Sequence, residues 1–244
     1  MIFILFALAV APGLAIAIFV YEKDKLDREP LHLLVKSFFL GALSIFPASF
    51  LEGVFEGYGF KQTVELTTTL QYALTVGFSE ELSKFLILIV FFYRRKEFNE
   101  PFDGITYGVM IAMGFATLEN VFYVVEGGLG VALIRMFTAV PAHATFGVLM
   151  GFFVGIAKFS HRRHSVKIPF PRTAAVVLPM VMHALYDFFL YMRNIPLLAI
   201  GALVALVVGI VFSLWAIRLH NLHSPFSHHE WHHHADEEKE IFKG

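Results

Sequence analysis

The chain has no cysteine, and Asp, Glu, Lys and Arg together make up only 16% of its 244 residues. The first absence removes disulfides, thiol catalysis and thiolate metal ligation, so any metal must be held by histidine and carboxylate. There is no internal repeat, no low-complexity linker and no polar stretch long enough for a second domain. The apolar runs hold no HExxH zinc-protease motif, and nothing points to a nucleic-acid partner.

What fills the chain is hydrocarbon. Hydrophobic residues make up 57% and the mean hydropathy is +0.67. Apolar runs at about 1–21, 31–54, 70–93, 102–125, 131–158, 172–193 and 196–218 reach the roughly 20 residues that cross about 30 Å of hydrocarbon. The expected fold is therefore all-α, a polytopic membrane bundle of seven helices. The first run lacks a basic leader and is too long for a signal-peptide core, so it is expected to stay in the protein. One domain covers 1–219. The tail 220–244 carries seven of the twelve histidines and an acidic cluster from Asp236 to Glu240, and reads as a solvated tail with incidental metal affinity.

Lys23, Lys25 and Arg28 follow the first run, Arg94, Arg95 and Lys96 the third, and Lys158, Arg162, Arg163, Lys167 and Arg172 the fifth. The alternate connections hold little more than Lys61, Arg135 and Arg193. The positive-inside rule then puts the N-terminus outside and the C-terminus in the cytoplasm.

Within these runs lie ionisable residues, which are costly at membrane depth and mark working sites. Glu80 and Lys84 are four apart and share a helix face, with Glu81 turned about 100° away. Glu119, beside Asn120, stands on the next run. His143 follows Pro141, and Gly147, Gly151 and Gly155 form a small-residue packing stripe on the same run. His183 and Asp187 share a face at i,i+4, where the acid can fix the imidazole tautomer or address the same ligand. Pro141 and Pro179 are expected to kink their helices around a cavity. Counted at about 1.5 Å per residue, Glu80 and His143 lie about 15 Å deep, His183 lies near the midplane, and Glu119 and Asp187 lie in the outer half. Four runs thus bring polar groups to overlapping depths, which points to chemistry within the bilayer.

The ordered set EExxK, FxxxE, Pro-Ala-His-Ala and HxxxD, spread over residues 70–190, resembles the PrsW family of intramembrane proteases, and more distantly the CAAX prenyl endopeptidases. The wider group carries EExxxR, FxxxH and HxxxN. Lys84 one position earlier, Glu119 in place of His and Asp187 in place of Asn all look like PrsW. The resemblance implies an endopeptidase cutting membrane-anchored, anti-sigma-factor-like proteins on the outer side. Water is the expected nucleophile and Glu80 or Glu81 its general base. His183 and Asp187, with His143, would polarise the scissile carbonyl or hold a metal. A zinc set of His143, His183 and Glu119, with Asp187 behind or as a fourth ligand, and a metal-free glutamate mechanism are both open. Lys84 and Asn120 are expected to support the site, and the partners are membrane lipid and a single-span or membrane-anchored substrate. A proton- or ion-coupled transporter is the alternative reading, and an inactive membrane scaffold a third.

Overall fold

The computed structural model describes residues 2–24, 27–63, 65–159, 170–192 and 194–222. Lys25, Arg162, Arg163, Lys167, Arg193 and the tail from 223 lie outside the described residues, as does the tail's acidic cluster.

Among the described residues every regular element is helical. The first, α1 (Ile2–Lys23), is apolar up to its last turn, which carries Glu22 and Lys23. The second run forms two helices, α2 (Leu31–Leu43) and α3 (Ile45–Gly57), broken at Ser44. Pro47 explains the break. It has no N–H to give the carbonyl of Leu43, and its ring crowds that carbonyl. The Ser44 hydroxyl instead donates to the Gly41 carbonyl at 2.7 Å. Next comes α4 (Leu66–Ile87), which ends in a π-helical turn, Leu88–Phe92.

The longest element, α5 (Pro101–Phe137), starts on a capping box between Glu100 and Asp103, with Pro101 in its first turn. It is broken at Gly128, whose φ of 69° and ψ of −158° only glycine adopts without strain. Beyond Gly128 the chain folds back. Arg135 reaches Glu119 at 2.7 Å, whereas sixteen residues of straight helix would separate them by about 24 Å. A short return arm therefore leads to α6 (Ala139–Phe159), then α7 (Pro171–Tyr191) and α8 (Pro196–Leu222).

Five helical stretches are long and apolar enough to cross a membrane: Phe3–Lys23, Leu31–Gly57, Pro101–Phe159, Pro171–Tyr191 and Ile200–Asn221. The third is α5 and α6 end to end, and α4 carries Glu80, Glu81 and Lys84 in its apolar run.

Three expectations need correction. The fifth run does not begin a helix at 131, because 131–137 belongs to the return arm of α5 and α6 starts at Ala139. His143 consequently sits about one turn into its helix, so the depth counted from 131 does not hold. Pro141 falls in the first turn of α6, where its missing N–H costs nothing, so it starts that helix rather than kinking it. The last helix also runs past 219: His220 is buried and its ring packs edge-on to Phe152 with centroids 4.5 Å apart.

The centre of the bundle is the α5–α6 pair. Gly104 and Gly108 face Gly147, Gly151 and Gly155 so closely that an added Cβ at any of the five would come within 2.8 Å of the opposing helix. The small-residue stripe is a backbone-to-backbone seam. Around it α1 and α2 lean on α5, α7 and α8 lean on α6, and α4 packs on α7.

Candidate active site

The polar side chains of four helices meet in one buried cluster. On α4, Lys84 is four residues from Glu80 and three from Glu81, and its ammonium donates to both, to Glu80 Oε2 at 3.1 Å and Glu81 Oε1 at 2.8 Å. Glu81 is therefore not turned away from the lysine. It lies between Lys84 and His183, whose Nδ1 is 2.9 Å from the same oxygen. The second Glu81 oxygen is buried without a hydrogen-bond partner.

Lys84 also reaches α6, where its ammonium is 3.2 Å from His143 Nδ1. An ammonium has no lone pair to accept with, so Nδ1 must be the acceptor and Nε2 must carry the hydrogen. Nε2 accordingly donates to Glu119 Oε2 on α5 at 2.9 Å. The ring of Phe115 lies 3.9 Å below the Lys84 ammonium. On α7, His183 turns Nε2 to Asp187 Oδ2 at 3.4 Å, and Phe146 stacks on its ring at 4.8 Å. The two imidazoles meet edge to face, centroids 5.1 Å apart. A pocket of about 150 Å³ opens onto this cluster. Glu80, His143, His183 and Asp187 line it, while Glu81 and Lys84 lie behind its wall.

Sequence reasoning missed Arg135, assigning it to an outer connection. Its Nη2 donates to Glu119 Oε2 at 2.7 Å and its Nε to Asn120 Oδ1 at 2.8 Å, and its guanidinium stacks on Tyr123 at 3.9 Å. Asn120 in turn donates to the Ala9 carbonyl of α1 at 3.0 Å, so it braces the fold beside the pocket. The site thus holds two permanent cations, where charge counting from the sequence found Lys84 alone. A signal was present: Glu119 and Arg135 are each eight residues from Gly127 (127 − 119 and 135 − 127), and the Gly127-Gly128 pair marks a reversal. Tyr123, Tyr186 and Tyr191 also line the pocket and carried no sequence signal.

The donors that could share one metal ion are Glu80, Glu81, His143 and His183, all buried, each with a ligand atom within 4.8 Å of the others'. Glu119, expected among the ligands, stands outside this group, behind His143. Asp187 stands likewise behind His183. In each case one nitrogen faces the shared centre and the other faces a carboxylate, as metal-binding histidines are usually held.

Residues 29–217 match the family described as PrsW family intramembrane metalloprotease. The chain is 39% identical to Protease PrsW of Bacillus subtilis (strain 168) over 188 residues, 77% of this chain and 83% of that protein. It is 35% identical to Protease PrsW of Geobacillus kaustophilus (strain HTA426), covering 79% and 82%. Against Protease PrsW of Clostridioides difficile (strain 630) it is 32% identical over 92% of each chain. No solved structure matches it. The chain belongs to the PrsW family of intramembrane metalloproteases, and the transporter and scaffold readings give way to a protease.

Proposed function

We propose that this protease crosses the membrane seven times with its N-terminus outside, and cleaves membrane-anchored proteins with a water molecule activated by Glu80. One observation carries the choice of base: of the two adjacent glutamates, Glu80 faces the pocket and Glu81 is held behind it by Lys84 and His183.

A water in the pocket would hydrogen-bond to Glu80, which takes its proton as the oxygen attacks the scissile carbonyl and later passes a proton to the leaving amine. His183 is held at Nδ1 by Glu81 and, at the longer 3.4 Å, at Nε2 by Asp187, and that Nε2–H would share its hydrogen with the scissile carbonyl oxygen to polarise it. Lys84 offsets the charge of the two glutamates. Arg135 fixes Glu119, and Glu119 fixes His143. The pocket is far too small for a helix, and helical carbonyls are already bonded, so the substrate enters as an unwound segment.

The donor set fits a metal. It is a buried N/O group with an unpartnered Glu81 oxygen and two histidines backed by carboxylates. Glu81, His143 and His183 would hold it, leaving Glu80 free as the base and one position open for water, zinc being the ion that suits such ligands. When bound it would polarise the carbonyl and acidify water. An anti-sigma-factor-like substrate cut on the outer side follows from the family likeness. Residues 1–219, with the last turn of α8, form the catalytic domain.

The test is cleavage of single-span substrates by the detergent-purified full chain. Glu80→Gln and His183→Ala should each lose about 10²-fold or more in rate while remaining folded in detergent. Metal content should fall from wild type to His143→Ala, the tail being common to both. Undiminished cleavage by Glu80→Gln overturns the assignment of the base, and equal metal in both proteins overturns the metal site.

A further inference from the structure

A second polar cavity lies far from the protease site, at the opposite end of the bundle. α1 leans on α5, and α8 leans on α6 and α7, which leaves a cleft of about 320 Å³ between the C-terminal ends of α1 and α8. Phe19 and Lys23 line it from α1; Leu214, Ile217, Arg218 and Asn221 line it from α8. Lys23 and Arg218 are both exposed. Among the described residues neither has an ion-pair partner, Lys23 having only the Phe19 ring at 5.1 Å. Glu22, next to Lys23, is not part of the lining.

We infer that this cleft binds the headgroup of an anionic phospholipid, with Lys23 and Arg218 clamping the phosphate and an acyl chain lying along Phe19, Leu214 and Ile217. The inference does not depend on the proteolytic mechanism. It rests first on how the lining is divided. Lys23, Arg218 and Asn221 stand on the last turn or so of their helices, and the apolar residues precede them in chain order on each helix. A molecule with an anionic end and a hydrocarbon end matches both halves. An acidic peptide, including this chain's own residues 236–240, would meet the cations and leave the apolar wall uncovered.

Depth supplies the second support. Trp215 is 51% exposed one turn before Arg218, and exposed tryptophans gather at the membrane–water boundary. Above it Leu214, Val211 and Val207 are exposed on α8, as are Ile18 and Leu14 on α1, so hydrocarbon covers both helices up to the cleft. Lys23 and Arg218 therefore stand at the level of lipid phosphates. Cationic pockets between helices at this level recognise lipid phosphates by charge. A lipid seated here would strap α1 to α8, two helices that pack on different partners.

Native mass spectrometry of the detergent-purified full chain, titrated with phosphatidylglycerol or phosphatidylcholine, tests this. One phosphatidylglycerol should be retained at concentrations where phosphatidylcholine is not. Lys23→Gln and Arg218→Gln should each weaken retention about fivefold, the scale of losing one basic residue at an anionic surface, and the double variant should lose it. Lys23→Arg should retain it, as should Lys96→Gln, which removes an exposed cation outside the cleft. Both cleft cations are exposed, so the variants should keep the wild-type thermal midpoint, and the charge-preserving Arg218→Lys guards against a folding effect. Equal retention by wild type and double variant overturns the inference, as does an equal loss in Lys96→Gln. A thermal shift with inorganic phosphate matching that of the lipid would make the cleft a soluble-anion site. Tighter lipid binding on neutralising the carboxylates of 236–240 would assign it to the tail instead.

Discussion

Replacing Gly151 by alanine puts one methyl group into the seam on which the site's geometry hangs. Its Cβ would lie 2.0 Å from the Gly104 carbonyl oxygen, 2.5 Å from the carbonyl carbon and 2.6 Å from the Ile105 Cα. All three are main-chain atoms, so no rotamer change relieves the clash. Carbon and carbonyl oxygen settle at about 3.3 Å or more, so the helices must part locally by about 1.3 Å (3.3 − 2.0). Overpacking of this kind costs about 1–3 kcal/mol, and a gap of 0.5–1 Å forfeits a quarter to a half of the dispersion energy across it. The functional cost follows from position. His143 is eight residues before Gly151 on α6, about 12 Å along the helix, and its 2.9 Å hydrogen bond to Glu119 joins α6 to α5. An opening of 1 Å stretches that bond beyond range, and misplacement on that scale costs about 10²-fold in rate. Cleavage of a single-span substrate and the thermal midpoint in detergent are the readouts. Gly130→Ala is the control, because nothing lies within 4 Å of its Cβ position. Gly151→Ala should lose at least tenfold in cleavage and several degrees, while Gly130→Ala should lose neither. Wild-type cleavage by a Gly151→Ala protein of unchanged midpoint would falsify the claim that the seam positions the site.

Arg135→Gln should lower cleavage by about tenfold or more, the cost of removing the support behind a histidine, with Arg135→Lys intermediate because one ammonium cannot serve both Glu119 and Asn120. Glu119→Gln combined with Arg135→Gln should then cost less than the sum of the two, and strict additivity in that double-mutant cycle would show the pair uncoupled. At the other end of the bundle burial pushes Asp24 up to about 7, helped by Glu100 and Asp27. Burial likewise pushes Glu29 up to about 7, opposed by its hydrogen bond from Tyr107. Folded values above the unfolded ones mean stability that is full below about pH 4 and lost as pH rises to about 7, at most about 4 kcal/mol for each group. Asp24→Asn should therefore raise the thermal midpoint at pH 8 and leave it nearly unchanged at pH 4; an equal effect at both would exclude a titrating acid. Cysteines placed at 61 and at 130, where nothing lies within 4 Å of the added Cβ, should react with an impermeant thiol reagent from outside and one at 95 should not, and the reverse pattern would invert the topology.

Much of the site was legible because its parts obey local rules. Glu80 with Lys84 and His183 with Asp187 are i,i+4 pairs, and the structure keeps both contacts, at 3.1 Å and 3.4 Å. The glycine seam was legible for the same reason. What escaped depends on chain reversal, which hydropathy does not register. The turn at Gly128 left the apolar signal unbroken, so 131–137 read as the start of a new span and Arg135 as an outer charge. The break at Ser44 escaped similarly, since Pro47 is apolar on a hydropathy scale although it interrupts the helix. In the group that could share an ion, Glu80 and Glu81 stand with the two histidines where Glu119 was expected. Which of two neighbouring carboxylates faces a histidine is decided by packing among four helices, and helical spacing alone cannot order them.

Lys84 sets the terms on which a metal ion can enter. Its ammonium lies 3.1, 2.8 and 3.2 Å from Glu80, Glu81 and His143, three of the four donors that could share an ion. A divalent cation among those donors would meet the ammonium's charge at very short range, in a place where little water screens it. The two compete for the same carboxylates, and an ion gains its seat only by displacing part of the lysine's contacts. Lys84→Met keeps the length of the side chain and removes the competitor. Without metal the variant leaves Glu80 and Glu81 buried with no counter-cation, and breaking such a pair costs about 3–5 kcal/mol. With metal the new charge takes over that role. Zinc should consequently raise the thermal midpoint of Lys84→Met by more than it raises wild type, from a lower starting point. Lys84→Met combined with His183→Ala, its tail intact, should show no such rise, which separates binding in the core from binding to the tail histidines. A zinc-induced rise that is larger in wild type, or absent from both proteins, would show that the ammonium and the metal do not share this seat. Lys84 would then be the permanent counter-charge of the glutamate pair.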